Sequence, residues 1–435
     1  TNGGATWSAT PAAGASVTVS AEGETLVRFR AVDGVGRTSG WVQGTARVDR
    51  TAPSTPAVSG GSLSWQNVAS VTVTGSGSSD VPASDGVNHY EYRTSTNAGT
   101  TWSAPATGAS VVISAEGSTL VQLRAVDGAG NASAWVPSVA GAGNTVMLDR
   151  GAPTNPTVSG ATGAWSNAAS AVVTASGSTD GGSAVSGYEY QTSFNGGAFS
   201  QSTPGSSVTV SAEGTTVVQF RSIDGAGNRS GWVQGTVKLD RTVPTSPAVA
   251  GGSTSWSAAA SRTISASGAT DALSGLARYE YRTSTTNGAT WNATVAGASA
   301  VITAEGTTIV QFRSVDNAGN TSAWLPTTAG SSNTVKLDRT APSLPTVTGG
   351  SLTCTNSRIT IRASGSTDAL SGLSTYEYRY STNAGSTWSA TVTSSSITIR
   401  TAGTYIVQFR AVDRVNNISA WAPATAGAAN TACHT

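Results

Sequence analysis

The segment VQFRSVDNAGNTSAW (residues 310–324) recurs along the chain of 435 residues and sets its organisation. Four near-identical copies read VRFRAVDGVGRTSGW, VQLRAVDGAGNASAW, VQFRSIDGAGNRSGW and VQFRAVDRVNNISAW, and they begin at Val27, Val121, Val218 and Val407. A second phrase, Asp-Arg-Thr-Ala-Pro or a near variant, begins at Asp49, Asp149, Asp240 and Asp338, with spacings of 100, 91 and 98 residues. A period of this length exceeds that of a solenoid unit and fits a small independent domain.

The two phrases divide the chain into one partial and four complete repeats, which span residues 1–50, 51–150, 151–241, 242–339 and 340–435. The partial repeat begins at the turn before Trp7 and lacks the segment that runs from Ala57 to Thr94 in the next repeat. Half a β-sandwich exposes a sheet edge and an apolar face. We therefore expect that residues 1–50 do not fold alone. Either the chain is cut from a longer one, which we favour, or strands of a neighbouring molecule complete the fold.

Short segments that alternate between apolar and polar residues indicate strands within each repeat. In residues 242–339 these segments are SRTISASG, ARYEYRTST, ATWNAT, SAVITAEG, TTIVQFRSVD and NTVKLDR. Asn287 and Gly288 are expected to close a hairpin into ATWNAT, because both tolerate the positive φ of a tight turn. No comparable window has a 3.6-residue apolar period. About seven short strands in roughly 95 residues predict an all-β chain of tandem immunoglobulin- or fibronectin type III-like β-sandwich domains.

Composition and histidine content narrow the function classes. Charged residues make up 11% of the chain and the net charge is +1, so there is no basic surface typical of nucleic-acid binding. The sequence contains no run of eighteen apolar residues, so we expect no segment that inserts into a membrane. The two histidines, His89 and His434, do not recur among the repeats, which excludes a repeated Ser-His-Asp site. We expect that the chain is not an enzyme. The alternative is a catalytic pair of carboxylates contributed by loops that lie far apart in the sequence.

Strand alternation predicts a row of ion pairs on the outer face of one sheet. In YEYR, Glu280 and Arg282 share a face, and in VQFR, Arg313 faces the same way. Neighbouring strands would then pair Glu91 with Arg124, Glu189 with Arg221, Glu280 with Arg313, and Glu377 with Arg410. Cross-strand pairs of this kind contribute about 0.2–1 kcal/mol each. The alternative is a charged stripe that binds a ligand, but one acid for each base leaves no free charge.

The turn after the repeated strand offers oxygen ligands. The calcium candidates are Asp127, Asn131, Asp224, Asn228, Asp316 and Asn320. Calcium takes six to eight oxygens, so the linker Asp is the additional ligand that we expect in that case. The favoured interpretation is structural: Asp caps the turn and Gly-Asn adopts left-handed geometry, with no cofactor bound. The same turns form glycosylation sequons at Asn131, Asn228, Asn320 and Asn417.

Tryptophans recur at a fixed spacing of 33 or 34 residues within each repeat, except that Phe199 replaces the first of the pair before Trp232. They could form a platform that stacks on sugars. The fixed spacing favours residues that are buried or stacked on arginine.

Both cysteines fall in the last repeat. Cys354 occupies the place of Trp256, and Cys433 that of Lys336. A disulfide between them would enclose nearly the whole repeat and stabilise it by roughly 4 kcal/mol. The alternative is two free buried thiols.

Paired prolines stiffen the linkers. They are Pro53 and Pro56, Pro153 and Pro156, Pro244 and Pro247, and Pro342 and Pro345. Proline fixes φ and no Gly/Ser tether intervenes, so we expect an extended, stiff string of domains.

Together, the YEYR strand, the Ala-Glu-Gly turn, the Asp-x-x-Gly-Asn-x-Ser-x-Trp strand end and the Asp-Arg-Thr-x-Pro exit resemble the bacterial Ig-like or fibronectin type III-like tandem repeats of large extracellular surface proteins. The resemblance covers the whole chain and implies a β-sandwich fold and a bacterial location that is extracellular or at the cell surface. The fifth repeat departs from the pattern, because it has Ala402 in place of Glu and lacks the Asp-Arg-Thr exit.

Two functions follow as hypotheses. The first is a non-catalytic structural protein, a segment of a surface fibre, filament or adhesin stalk that provides reach and rigidity. The alternative is a carbohydrate-binding accessory array of a secreted enzyme or phage fibre. Expected partners are copies of the chain itself in a fibre, or a cell-surface or carbohydrate ligand. Buried tryptophans would favour the first hypothesis, and exposed coplanar tryptophans the second.

Overall fold

The computed structural model describes residues 3–81 and 86–435, where all regular structure is β-strand. Among these residues no helix is long and apolar enough to cross a membrane. The chain divides into two compact units: the first comprises Thr1–Gly163, Ala171–Val210 and Thr215–Val237, and the second comprises Ala164–Ser170, Ser211–Gly214 and Lys238–Thr435. The predicted all-β fold is confirmed.

The strands follow the same order in each complete repeat. The partial repeat contains β1 (Gly23–Phe29) and β2 (Val42–Val48). The second repeat contains β3 (Ala57–Ser59), β4 (Val71–Ser76), β5 (Val87–Ser95), β6 (Ala106–Thr107), β7 (Ser110–Ile113), β8 (Gly117–Asp127) and β9 (Thr145–Leu148). The third contains β10 (Thr157–Ser159), β11 (Trp165–Ser166), β12 (Ala171–Ser176), β13 (Val185–Phe194), β14 (Thr203–Pro204), β15 (Ser207–Val210), β16 (Gly214–Asp224) and β17 (Val233–Leu239).

The last two repeats have eight strands each. The fourth contains β18 (Ala248–Ala250), β19 (Trp256–Ser257), β20 (Arg262–Ser267), β21 (Leu276–Ser284), β22 (Val295–Ala296), β23 (Ser299–Ile302), β24 (Gly306–Asp316) and β25 (Thr334–Leu337). The fifth contains β26 (Thr346–Thr348), β27 (Ser351–Thr355), β28 (Ile359–Ser364), β29 (Leu373–Ser381), β30 (Val392–Thr393), β31 (Ser396–Ile399), β32 (Gly403–Asp413) and β33 (Thr431–His434).

Two sheets form each of the third, fourth and fifth repeats. In the fourth, one sheet has the order β18-β20-β23 and the other the order β19-β25-β24-β21-β22. All pairings are antiparallel except that of the edge strand β19, which runs parallel to β25. The second repeat has the sheets β3-β4-β7 and β6-β5-β8-β9. This arrangement is the predicted β-sandwich.

The core of the fourth repeat lies between its two sheets. Val310, Phe312 and Ser314 alternate along β24 and are fully buried, as strand alternation predicted. Tyr279 and Tyr281 of β21 pack on the same core, and the rings of Tyr281 and Phe312 are 5.6 Å apart. Burial of a side chain the size of Phe contributes about 1.5–3 kcal/mol.

The partial repeat forms one two-stranded antiparallel sheet from β1 and β2. Phe29 occupies the motif position of Phe312, but it is 43% exposed, because the described part of this repeat supplies no second sheet to cover it. Thr1 and Asn2, the first residues of the turn expected before Trp7, lie outside the described residues.

The hairpin at Asn287 and Gly288 has the predicted positive φ at both residues, 54° and 86°. The expectation that ATWNAT forms the next strand is wrong. Asn292 donates one backbone hydrogen bond to Thr283, and the chain resumes strand geometry only at β22. The segment is irregular where the ring of Trp291 lies against the guanidinium of Arg282.

The structure joins Cys354 of β27 to Cys433 of β33, with Cα atoms 4.2 Å apart. These strands run parallel at the sheet edge, as β19 and β25 do in the fourth repeat. There, Trp256 faces Lys336, whose ammonium lies 5.6 Å from the ring centroid. The disulfide of the last repeat therefore stands where the fourth repeat places a cation–π contact.

Candidate functional site

A stack of arginine and tryptophan side chains covers the outer face of the larger sheet. In the fourth repeat the guanidinium of Arg282 lies 4.4 Å from the ring centroid of Trp291 and 4.6 Å from that of Trp324. The guanidinium of Arg313 lies over Trp324 as well, at 4.6 Å. We call Trp291, Arg282, Trp324 and Arg313 the ladder of this repeat.

Hydrogen bonds fix each arginine of the ladder. Arg282 donates from Nε and Nη2 to Gln311 Oε1 at 3.0 and 2.7 Å, and Gln311 in turn donates to the carbonyl of Pro326 at 2.8 Å. Arg313 donates to Glu280 at 2.8 Å. Gln311 is 5% exposed although strand alternation places it on the outer face, because the ladder covers it.

The electrostatics of the ladder follow from this arrangement. Burial raises the pKa of Glu280, but hydrogen bonds from Arg313 and Arg278 outweigh burial and leave that pKa below its ordinary value. Burial lowers the pKa of Arg282, and the neighbouring charge of Arg313 lowers it further. Glu280 therefore provides the counter-charge for Arg313 and Arg278, whereas Arg282 is held by the neutral side chain of Gln311.

The ladder recurs in the second and fifth repeats. Its members there are Trp102, Arg93, Trp135 and Arg124, and Trp388, Arg379, Trp421 and Arg410. In the third repeat Gln191 and Phe199 replace the first Arg and Trp, and only Arg221 over Trp232 remains, at 4.3 Å.

All four ion pairs expected from strand alternation lie opposite one another in the register. Arg124 and Glu91 are 2.7 Å apart, Arg313 and Glu280 2.8 Å, and Arg410 and Glu377 2.7 Å; Arg221 and Glu189 are 2.5 Å apart. Each carboxylate is committed to an arginine of its own sheet, which supports the structural interpretation over a ligand-binding stripe.

A second constellation lies where one repeat follows another. At the junction of the third and fourth repeats, Asp316 accepts the backbone N–H of Asn320 at 2.8 Å and its side-chain N–H at 2.7 Å. The Asn320 amide also donates to the carbonyl of the linker residue Asp240, at 2.9 Å. Asn320 thus serves as a donor that ties the linker to the next repeat.

The same contact occurs at the other three junctions. Asn131, Asn228 and Asn417 donate to the carbonyls of Asp49, Asp149 and Asp338 at 3.2, 2.9 and 3.0 Å. The Asp partners of these asparagines in the turn are Asp127, Asp224 and Asp413.

The linker dipeptide Asp240-Arg241 bonds in two directions. Arg241 donates to the carbonyls of Ser211 and Ala169 at 3.1 Å each, and its Nε lies 3.2 Å from Glu213, all in the preceding repeat. Asp240 accepts the N–H of Ser274, in the following repeat, at 2.9 Å. Burial raises the pKa of Asp240, but the hydrogen bonds from Ser274 and Thr242 outweigh it and leave the pKa lowered.

A third aspartate, not predicted from the sequence, completes each junction. Carboxylate oxygens of three Asp lie within 4.8 Å of one another at every junction. These triads are Asp49, Asp80 and Asp127; Asp149, Asp180 and Asp224; Asp240, Asp271 and Asp316; and Asp338, Asp368 and Asp413. The signal that could have found the third member is the Ser-Gly-x-x-Asp phrase that recurs before each YEY strand, at the start of a loop whose length varies among the repeats.

No protein-family model matches the chain. It is 37% identical over 211 residues to Exoglucanase B of Cellulomonas fimi, a match that covers 46% of the chain and 19% of that protein. Two solved structures are also similar. The FN1–FN3 domains of chicken CNTN1 match 63% of this chain and 97% of theirs (14% identity, TM-score 0.21), and the fibronectin(III)-like modules of Clostridium thermocellum CbhA match 42% and 96% (19% identity, TM-score 0.24). On its own strand order and packing, the chain is a tandem array of immunoglobulin- and fibronectin type III-like β-sandwich domains.

Proposed function

We propose that the chain is a non-catalytic spacer of an extracellular bacterial protein, in which successive domains are joined at fixed junctions to provide reach. The carrying observation is the Asp-Arg linker. Its arginine bonds to the repeat before it and its aspartate to the repeat after it, and neither contact requires any further partner. A linker held on both sides resists bending, as a spacer requires.

The ladder supports a structural role for the tryptophans. A sugar ring stacks on a free aromatic face, but guanidinium groups lie over the Trp324 ring from both Arg282 and Arg313. The ten tryptophans of the complete repeats are half-buried. Rings that are covered in this way favour the spacer over the carbohydrate-binding array.

Similarity to part of Exoglucanase B favours a second candidate, an accessory array of a secreted polysaccharide-degrading enzyme. In such an enzyme a spacer would separate other domains, so the two candidates differ chiefly in whether the repeats themselves bind carbohydrate.

Two measurements on the whole chain test these candidates. A spacer gives a radius of gyration well above the roughly 22 Å of a compact protein of this length in small-angle scattering. It also stays in the supernatant after incubation with insoluble cellulose. A compact radius refutes the spacer, and retention on cellulose that glucan oligomers reverse favours the accessory array.

A matched pair of variants tests the linker directly. Arg241→Ala removes the contacts to the preceding repeat, and we expect it to broaden the distribution of particle dimensions. Arg262→Ala serves as the control, because Arg262 bonds to Gly251 and Gly252 inside its own repeat. If both variants scatter like the parent chain, the linker contacts do not set the junction.

A further inference from the structure

We propose that each of the four Asp triads binds one divalent cation of the calcium type, so that every junction carries an ion between the linker and the following repeat. The triads lie within the compact units, the first two in one unit and the last two in the other. This inference does not depend on the spacer function.

Charge is the first argument. Each triad brings three carboxylates within 4.8 Å of one another, and two of the three are buried. Asp240 is 0% exposed and Asp316 is 2% exposed. Buried carboxylates are costly unless hydrogen bonds, a counter-charge or a metal accompany them. Among the described residues, no salt bridge reaches any aspartate of the triads.

Unsatisfied oxygens are the second, independent argument. Asp80 is 8% exposed, and its Oδ2 has no hydrogen-bond partner among the described residues, although it belongs to a cluster with Asp49 and Asp127. The Oδ2 atoms of Asp49 and Asp271 are likewise buried and, in the described part of the chain, without a partner. Oxygens of this kind are left over by the hydrogen-bond network and are available to coordinate an ion.

Donor chemistry selects the class of cation. The clusters consist of aspartate alone, without the nitrogen or sulfur ligands that zinc and copper prefer. Three carboxylates provide up to six oxygens, near the six to eight that calcium takes in flexible geometry. Magnesium instead requires a near-ideal octahedron and retains several waters.

The partial repeat offers the contrast that separates this site from turn capping. Asp33 caps an equivalent turn there, accepting the N–H of Val35 at 3.0 Å and of Arg37 at 2.7 Å. Within the part of the chain that the structure describes, Asp33 belongs to no triad. An aspartate can therefore cap this turn without the other two carboxylates, so the cap by itself does not account for their convergence.

The test is calcium stoichiometry on the full chain, stripped with a chelator and measured by equilibrium dialysis with calcium alone. We expect four ions per parent chain. Asp271→Asn keeps the Oδ1 acceptor that caps its own turn through Leu273 and Gly275 and removes the charge, so it should bind three. Asp33→Asn, the matched control, should bind four.

Thermal unfolding gives a second measurement. The change in melting temperature caused by Asp271→Asn should reverse its sign when calcium is added, which a purely structural aspartate would not show. Without calcium, Asp271→Asn should melt at or above the temperature of the parent, because a repulsive charge is gone. With calcium in excess it should melt below the parent. Absence of calcium binding at millimolar concentration, an unchanged count in Asp271→Asn, or full displacement by an equal concentration of magnesium would each overturn the proposal.

Discussion

Replacing Phe312 with alanine tests whether the repeated VQFR strand builds a core only when a second sheet faces it. Phe312 is fully buried in the fourth repeat, whereas Phe29, at the same motif position, is 43% exposed in the partial repeat. An aromatic side chain buries about 200 Å², which at about 25 cal/mol per Å² corresponds to about 5 kcal/mol as an upper bound. Phe-to-Ala substitutions in cores cost about 3–5 kcal/mol.

We therefore expect Phe312→Ala to lower the free energy of opening of the fourth repeat by about 3–5 kcal/mol, or more than a hundredfold in the opening constant. Phe29→Ala should cost less than half as much. Hydrogen exchange read by mass spectrometry resolves the two strands, since the repeats need not unfold together. Equal effects in β24 and β1, or a cost below about 1 kcal/mol for Phe312→Ala, would refute the assignment of the core.

Three further outcomes follow from the same contacts. Cys354→Ala should destabilise the fifth repeat alone by about 4.5 kcal/mol, the loop entropy for the 79-residue separation, as measured by urea unfolding with and without reductant. The pKa of Glu280 is lowered, so its ionised form stabilises the fold above the ordinary pKa of a glutamate, and this contribution is lost as the pH falls through the folded value. Glu280→Gln should therefore reduce the fall of the urea unfolding midpoint in acid. Arg282→Ala should raise the exposure of Trp291 and Trp324, which is detectable as faster quenching of their fluorescence by acrylamide. It should leave the retention of the chain on cellulose unchanged. A gain of cellulose binding would instead show that the arginine masks a sugar-binding platform.

The long strands and their pairing could be predicted because they depend on local alternation. Glu280 lies opposite Arg313 because side chains alternate along each strand and the two strands share one register. Both the alternation and the register can be inferred from YEYR and VQFR. The two-residue edge strands could not be predicted. β19 and β22 contain too few residues to show any period, and their geometry follows from the neighbouring strand rather than from their own sequence.

The triads show a different limit. Asp240, Asp271 and Asp316 are separated by 31 and 45 residues, and they meet only because the following repeat packs against the linker. The sequence pattern offers Asp316, Asn320 and the linker aspartate only as candidate oxygen ligands, whereas the segment around Asp271 has the features of a surface loop of variable length. Loop length does vary there, yet the aspartate keeps its place before the strand, because Asp271 caps its own turn through Leu273 and Gly275.

The fifth repeat departs from the linker geometry of the other complete repeats at its Ala-Glu-Gly turn. In the other complete repeats the Glu of the Ala-Glu-Gly turn holds the exit arginine, as Glu305 holds Arg339 through the backbone N–H at 2.8 Å. The fifth repeat has Ala402 in place of that Glu, so the acceptor of this contact is missing there. The edge strand β27 of this repeat is fixed covalently to β33 by the disulfide between Cys354 and Cys433. Asp413 nevertheless remains in a triad, because that site belongs to the junction with the preceding linker, through Asp338, and not to the exit. The site that receives a linker is thus separable from the contact between Glu and Arg at the exit of a repeat.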